Sequence, residues 1–272
     1  MEIKQNPFSL YDFLGYFVPG AIFTYSLIFV ASLADPTKSF RSILSTYFDF
    51  ERIEFYLPFT LGAYTIGHIL SFVSSITIEK YSLWKLGFPS KYLLGLGYPE
   101  YYDVQEPKPT RVFLRTIIAL FLLPITFLDI ILGNFLRLHE IHAKSLDPAL
   151  RAILQHKVSN LVEKLSRGKG KRRKREVKAG GVDFFRFAYH YVVEHAPNHV
   201  QKMQNYVALY GFLRTLTLIT ILLFWINLFF QPLGYAPFAL ISAILSFILY
   251  LDFNKFYRRF SLEVLMALSA VS

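Results

Sequence analysis

From Thr215 to Leu251 the chain runs 37 residues without one Asp, Glu, Lys or Arg, interrupted near its middle by Gln231-Pro232-Leu233-Gly234. A helix crossing a hydrocarbon core of about 30 Å needs roughly 17 to 25 apolar residues, so halves of 16 and 17 residues fit two short spans joined by a Pro-Gly turn. This predicts a transmembrane hairpin and an integral membrane protein. Composition agrees, since a chain that is 54% hydrophobic and 18% aromatic, with mean hydropathy +0.37, is too apolar for an ordinary soluble domain. The absence of cysteine excludes disulfides, thiolate metal sites and thiol nucleophiles.

Two further charge-free runs precede the hairpin, 22 residues from Phe13 to Ala34 and 24 from Phe55 to Ile78. Ser9 and Asp12 form a capping pattern that starts the first helix near Leu10, and Pro19 predicts a kink because its ring strikes the carbonyl of Gly15. A cleaved signal peptide is the competing reading, on Ser32-Leu33-Ala34. The leader has only Lys4 against Glu2 and Asp12, and the apolar run is long, so the helix is expected to be retained. Four spans with the N-terminus inside place 26 Lys and Arg in the cytoplasm and only Lys38, Arg41 and Arg52 outside. Both termini are therefore expected in the cytoplasm.

The segment 116–136 is apolar but carries Asp129, Pro124 and Asn134. A crossing there would flip the rest of the chain and expose Lys255, Arg258 and Arg259 or the basic middle, so a re-entrant, interfacial or protein-buried helix is expected, with a fifth span as the alternative. The fold class that follows is all-α, an integral membrane bundle of four spanning helices with long extensions into a cytoplasmic helical region. Residues 1–78 form a first transmembrane pair, with spans near 13–34 and 55–78. Residues 79–205 form the cytoplasmic region, holding segment 116–136 and a basic mobile loop at 166–181. Residues 206–272 form the second hairpin, with spans near 215–230 and 235–251, and a cytoplasmic C-terminal helix.

Several helices outrun the bilayer. Asn198 can cap a helix that meets no breaker before Phe230, span two continues through Glu79 and Trp84 to Gly87, and Phe253, Phe256, Phe260 and Val264 prolong the last span as an apolar stripe. Together these predict a stalk below the membrane. Leu150, Leu154, Val158, Leu161 and Leu165 form another stripe, available to the stalk or to a soluble cytoplasmic protein partner. Eight basic residues, Arg167, Lys169, Lys171, Arg172, Arg173, Lys174, Arg175 and Lys178, lie within twelve positions among glycines. Such a loop would be solvated or would contact anionic lipids, and nucleic acid is the weaker reading because no aromatic interleaves the run.

Ala63, Gly67, Ser71 and Ser75 recur every four residues on span two and predict a close helix-packing seam, against either this chain or a second copy in a homo-oligomer. His68 beside the seam, Asp129 and Arg214 are the candidate intramembrane polar site, with packing, an ordinary ion pair to Arg115, Arg137 or Arg214, and snorkelling as the respective plain readings. His139, Glu140 and His142, and the set His190, Glu194, His195 and His199, offer metal-ligand types without H-E-x-x-H spacing, so no metal and no cofactor are expected. Catalytic motifs are likewise lacking: there is no P-loop, no G-x-G-x-x-G and no G-x-S-x-G.

The runs from Leu10 to Gly20 (LYDFLGYFVPG), Gly67 to Ser75 (GHILSFVSS) and Asn205 to Arg214 (NYVALYGFLR) resemble motifs of uncharacterised bacterial multi-pass membrane proteins. That resemblance implies a bacterial inner membrane and no particular activity. The expected function is non-enzymatic: an oligomeric pore or membrane-perturbing effector controlled from the cytoplasm, with phage defence as an analogy of architecture alone. A membrane-anchored scaffold is the second reading, and a membrane enzyme of unfamiliar type the third.

Overall fold

In the computed structural model, residues 12–34, 37, 39–47, 54, 56–96, 109–133, 144–167, 184–230 and 236–271 are described. Every regular element among them is helical. The first span is α1 (Val18–Ala34), preceded by a π-helical turn over Phe13–Phe17. There the Val18 N–H bonds the Phe13 carbonyl, five residues back. The wider turn meets the same demand as the expected kink, since Pro19 supplies no N–H and crowds the preceding turn. A short amphipathic helix, α2 (Phe40–Tyr47), follows, and then α3 (Tyr56–Ser74). After a π-helical turn at Ser75–Glu79, the chain continues as α4 (Lys80–Leu86). Gly87 ends it at φ 75°, a left-handed conformation that glycine adopts without steric penalty, and α5 (Pro89–Leu93) begins on a proline.

Segment 116–136 is bent over its described part, 116–133, and Asn134 lies outside the described residues. Helix α6 (Pro109–Phe121) meets the limb Leu123–Gly133 at 85°, a limb made of α7 (Leu123–Leu128) and a π-helical turn over Asp129–Gly133. Its two limbs return to one level of the bundle. Arg115 lies over the Trp84 ring at 5.1 Å and Asp129 pairs with Lys85, the next residue of α4, whereas a straight helix would hold positions 115 and 129 about 21 Å apart. This is a bent pair of helices rather than one straight helix. The break is affordable inside an apolar bundle because side chains take over freed carbonyls: Thr126 Oγ1 donates to Ala119 at 3.3 Å and Trp225 Nε1 to Phe121 at 2.9 Å. Pro124 could never have supplied the N–H that a continuous helix would bring to Leu120.

Beyond it come α8 (Pro148–Arg167), α9 (Phe184–His195), α10 (Pro197–Phe230) and α11 (Ala236–Ala270). Helix α10 starts on Pro197 rather than after an Asn198 cap, as the missing proline N–H is no loss in a first turn. At 34 and 35 residues, α10 and α11 are each about 50 Å long and pack along one another. Among the described residues four helices are long and apolar enough to cross a membrane, or five if the bent pair is one span.

Two cores divide the molecule. One, at the level of the spans, gathers Leu70, Ile78, Leu122, Ile125, Leu218 and Phe247. The other, in the stalk, gathers Leu94, Leu154, Val158, Ala188, Met203 and Val264, and Tyr210 and Tyr257 pack against both. The stripe on α8 is thus spent within the chain: Leu154, Val158 and Leu161 are buried and Leu150 packs beside them. The side chain of Leu165 lies outside the described residues. Lys157 fastens α8 to the end of α11, donating to the carbonyls of Ser269 and Val271 at 2.9 Å each, a cation placed where a helix terminus leaves acceptors unpaired.

Candidate functional site

The seam on α3 is a contact within the chain. A Cβ on Gly67 would overlap the Tyr16 carbonyl, and one on Gly20 would overlap the Ala63 carbonyl, so these glycines let the backbones of the first two spans touch. Ala63 and Gly67 are buried. Ser71 and Ser75 serve differently, because by their level the neighbour has changed to α10. The Ser71 carbonyl accepts a bond from Arg214 Nη2 at 3.4 Å, and Ser75 Oγ donates back to Phe72 at 2.7 Å.

His68 is exposed at the bundle surface, stacked on Tyr16 at 3.7 Å between ring centroids and edge-on to Tyr64 at 4.5 Å. Among the described residues it makes no hydrogen bond, and Thr65 and Ser74 turn to the backbone carbonyls of Leu61 and Ser71 instead. Its role is aromatic packing between α3 and the first helix.

Arg214 and Asp129 belong to two ion pairs at the junction of spans and stalk. Arg214 is not a snorkelling anchor: its guanidinium pairs with Glu79 and donates from Nε to Ser74 Oγ at 3.1 Å. A planar fork with five donors suits three acceptors on one helix. Asp129, only 2% exposed, pairs with Lys85, a partner not among the arginines expected for it, and Arg137 lies outside the described residues. Charge buried at this depth is tolerated because each group has an opposite partner. The π-helical turns at Ser75–Glu79 and Asp129–Gly133 lie at these positions, so the altered pitch accompanies the residues that form the pairs. One pair ties α10 to the α3–α4 rod, and the other ties the bent helix pair to the same rod.

Glu79 and Lys85 escaped the sequence reading, which placed both in the helical extension without asking what they face. A third cluster, also missed, joins the stalk: Glu263 of α11 accepts from His199 Nδ1 at 2.9 Å and from Lys202 at 2.6 Å, both on α10. The other histidines do not converge, since His195 Nδ1 is bonded to the Tyr191 carbonyl at 2.9 Å and His190 packs edge-on to Tyr189. Among the described residues no three His, Cys, Asp or Glu could hold a metal ion. His139, Glu140 and His142 lie outside the described residues, as do Lys169, Lys171, Arg172, Arg173, Lys174, Arg175 and Lys178. Arg167 closes α8. No family model, curated protein or solved structure matches the chain.

Proposed function

We propose that the chain is a non-enzymatic inner-membrane protein whose cytoplasmic helical region controls its spans, which act as a homo-oligomeric pore or perturb the bilayer. What carries this reading is mechanical continuity: α10 and α11 run unbroken from the apolar hairpin into the stalk core. A helix pair without a hinge passes a displacement at His199 or Glu263 on to Thr215 and Tyr250. The ion pairs of Glu79 with Arg214 and Lys85 with Asp129 sit where such a movement would have to pass from stalk to spans, and they hold the resting arrangement.

In liposomes loaded with a self-quenched dye, the wild-type protein should leak slowly and an Arg214→Gln variant several-fold faster. Equal retention of dye by both, with insertion verified, would remove the reading. A shift of that size needs only about 1 kcal/mol between two states.

Both termini lie in the cytoplasm in this proposal, supported by the basic residue count and by the sharp bend between Pro109–Phe121 and Leu123–Gly133. Reporter fusions after Lys38, Lys108, Gly170, Gly234 and Ser272 should read outside, inside, inside, outside and inside. An outside reading at Gly170 overturns it.

The basic run from Arg167 to Lys178 contacts anionic lipid in the same proposal, each basic side chain contributing about 1 kcal/mol that fades with salt. A peptide from Lys164 to Val182 should bind phosphatidylserine vesicles at low ionic strength. Binding should disappear when Arg172, Arg173, Lys174 and Arg175 are neutralised. Indifference to those substitutions would leave the run a solvated loop.

A further inference from the structure

At the end of the spans remote from the stalk, α1, α10 and α11 line an open cavity of about 360 Å³. Phe29, Leu223 and Phe238 supply apolar wall, Phe40 of α2 closes one side, and Ser26, Asn227 and Ser242 bring polar groups into it. Their hydrogen bonding sets these three apart. Hydroxyls elsewhere on the same helices close onto their own backbone, Thr24 on Gly20 at 2.9 Å, Thr220 on Thr217 at 2.9 Å and Ser246 on Ala243 at 2.8 Å. Ser26 and Ser242 make no hydrogen bond among the described residues. Asn227, 6% exposed, donates from Nδ2 to the Leu223 carbonyl at 2.7 Å, while its Oδ1 has no partner.

A buried acceptor without a donor is unfavourable. Apolar walls with a few convergent polar groups are the make-up of a small-molecule site, and this volume is at the small end of such pockets. It accommodates one chain rather than two. Depth narrows the chemistry further. Asn227 lies three residues before the end of α10 and Phe238 two after the start of α11, so the polar groups sit near the ends of the spans, where a lipid's chains join its polar part. A diacyl phospholipid presents esters there, which only accept hydrogen bonds. Asn227 Oδ1 requires a donor.

We propose that this cavity binds a single-chain amphiphile with a free hydroxyl at the junction of chain and polar part, of the monoacylglycerol class. The chain lies against Phe29 and Phe238, the hydroxyl donates to Asn227 Oδ1, and the hydroxyls of Ser26 and Ser242 complete its hydrogen bonding. The apolar half places the ligand and the amide selects for a donor.

The test uses full-length protein in lipid nanodiscs and a monoacylglycerol carrying a diazirine near its ester, with adducts mapped by mass spectrometry. Labels should concentrate in residues 25–33, 223–227 and 238–242. The methyl ester of the same photoreactive acid, which has no hydroxyl, should label those segments about tenfold less. Asn227→Leu should cut labelling by the hydroxylated probe to the level of the methyl ester without changing labelling by the ester. Were that variant not to fold, the comparison of the two probes on the wild type decides alone. Equal labelling by both probes, displacement by diacyl lipid at equal mole fraction, or adducts spread over lipid-facing positions such as Leu61 and Phe72 would each overturn the proposal.

Discussion

Replacing Lys85 by Met should be among the most damaging single changes in this protein, lowering its stability by about 3–5 kcal/mol. The substitution keeps the length and apolar body of the side chain but removes the Lys85 charge from Asp129, which is 2% exposed and ion-paired with it. Most of the loss reflects a buried carboxylate deprived of the Lys85 charge, not the strength of the pair itself. Adding Asp129→Leu to Lys85→Met should therefore restore most of the stability. Lys80, exposed five residues earlier, provides the control, and Lys80→Met should stay within about 0.5 kcal/mol. Thermal unfolding in one mild detergent compares all four proteins. A double variant as unstable as Lys85→Met alone would show that the side chains act by shape, not charge.

That experiment also separates what the chain displays from what only folding supplies. The spans are legible because a bilayer imposes a one-dimensional criterion, a long run without charge, and the runs at 13–34, 55–78, 215–230 and 235–251 meet it. Extension of the helices past the membrane is legible for a similar reason, since no Pro or Gly dipeptide interrupts the chain between Pro197 and Phe230. Partners across the bundle are not. Periodicity tells which residues share a face of one helix, but nothing local says that Glu79 meets Arg214, 135 positions on, or that Lys85 meets Asp129. The isolated acid at 129 signalled that a cation was required, and its identity depended on how sharply the chain turned at Leu122. Asn227 carried a weaker signal, because an amide near a span end is unremarkable until its oxygen is seen without a donor.

The seam allows the second large effect to be predicted with its own internal control. Gly62 and Gly67 lie on the same helix, five residues apart, and at Gly62 an added Cβ would meet nothing within 4 Å. Gly62→Ala should be neutral or mildly stabilising, by at most about 1 kcal/mol, as alanine restricts the unfolded chain and favours helix. At Gly67 the same methyl group would overlap the Tyr16 carbonyl, which belongs to backbone and cannot rotate away. The first helix must then move off α3, opening the stack of Tyr16 on His68 and the approach of Gly20 to Ala63. Overpacking of this kind costs about 1–3 kcal/mol, and backbone against backbone belongs at the upper end. Gly67→Leu should go further and prevent the two spans from packing. Ser71→Ala should change little by comparison, since it is the carbonyl of that residue that meets Arg214. If unfolding midpoints place Gly67→Ala level with Gly62→Ala, the first two spans do not approach through these residues, and the seam would be free for a second copy of the chain.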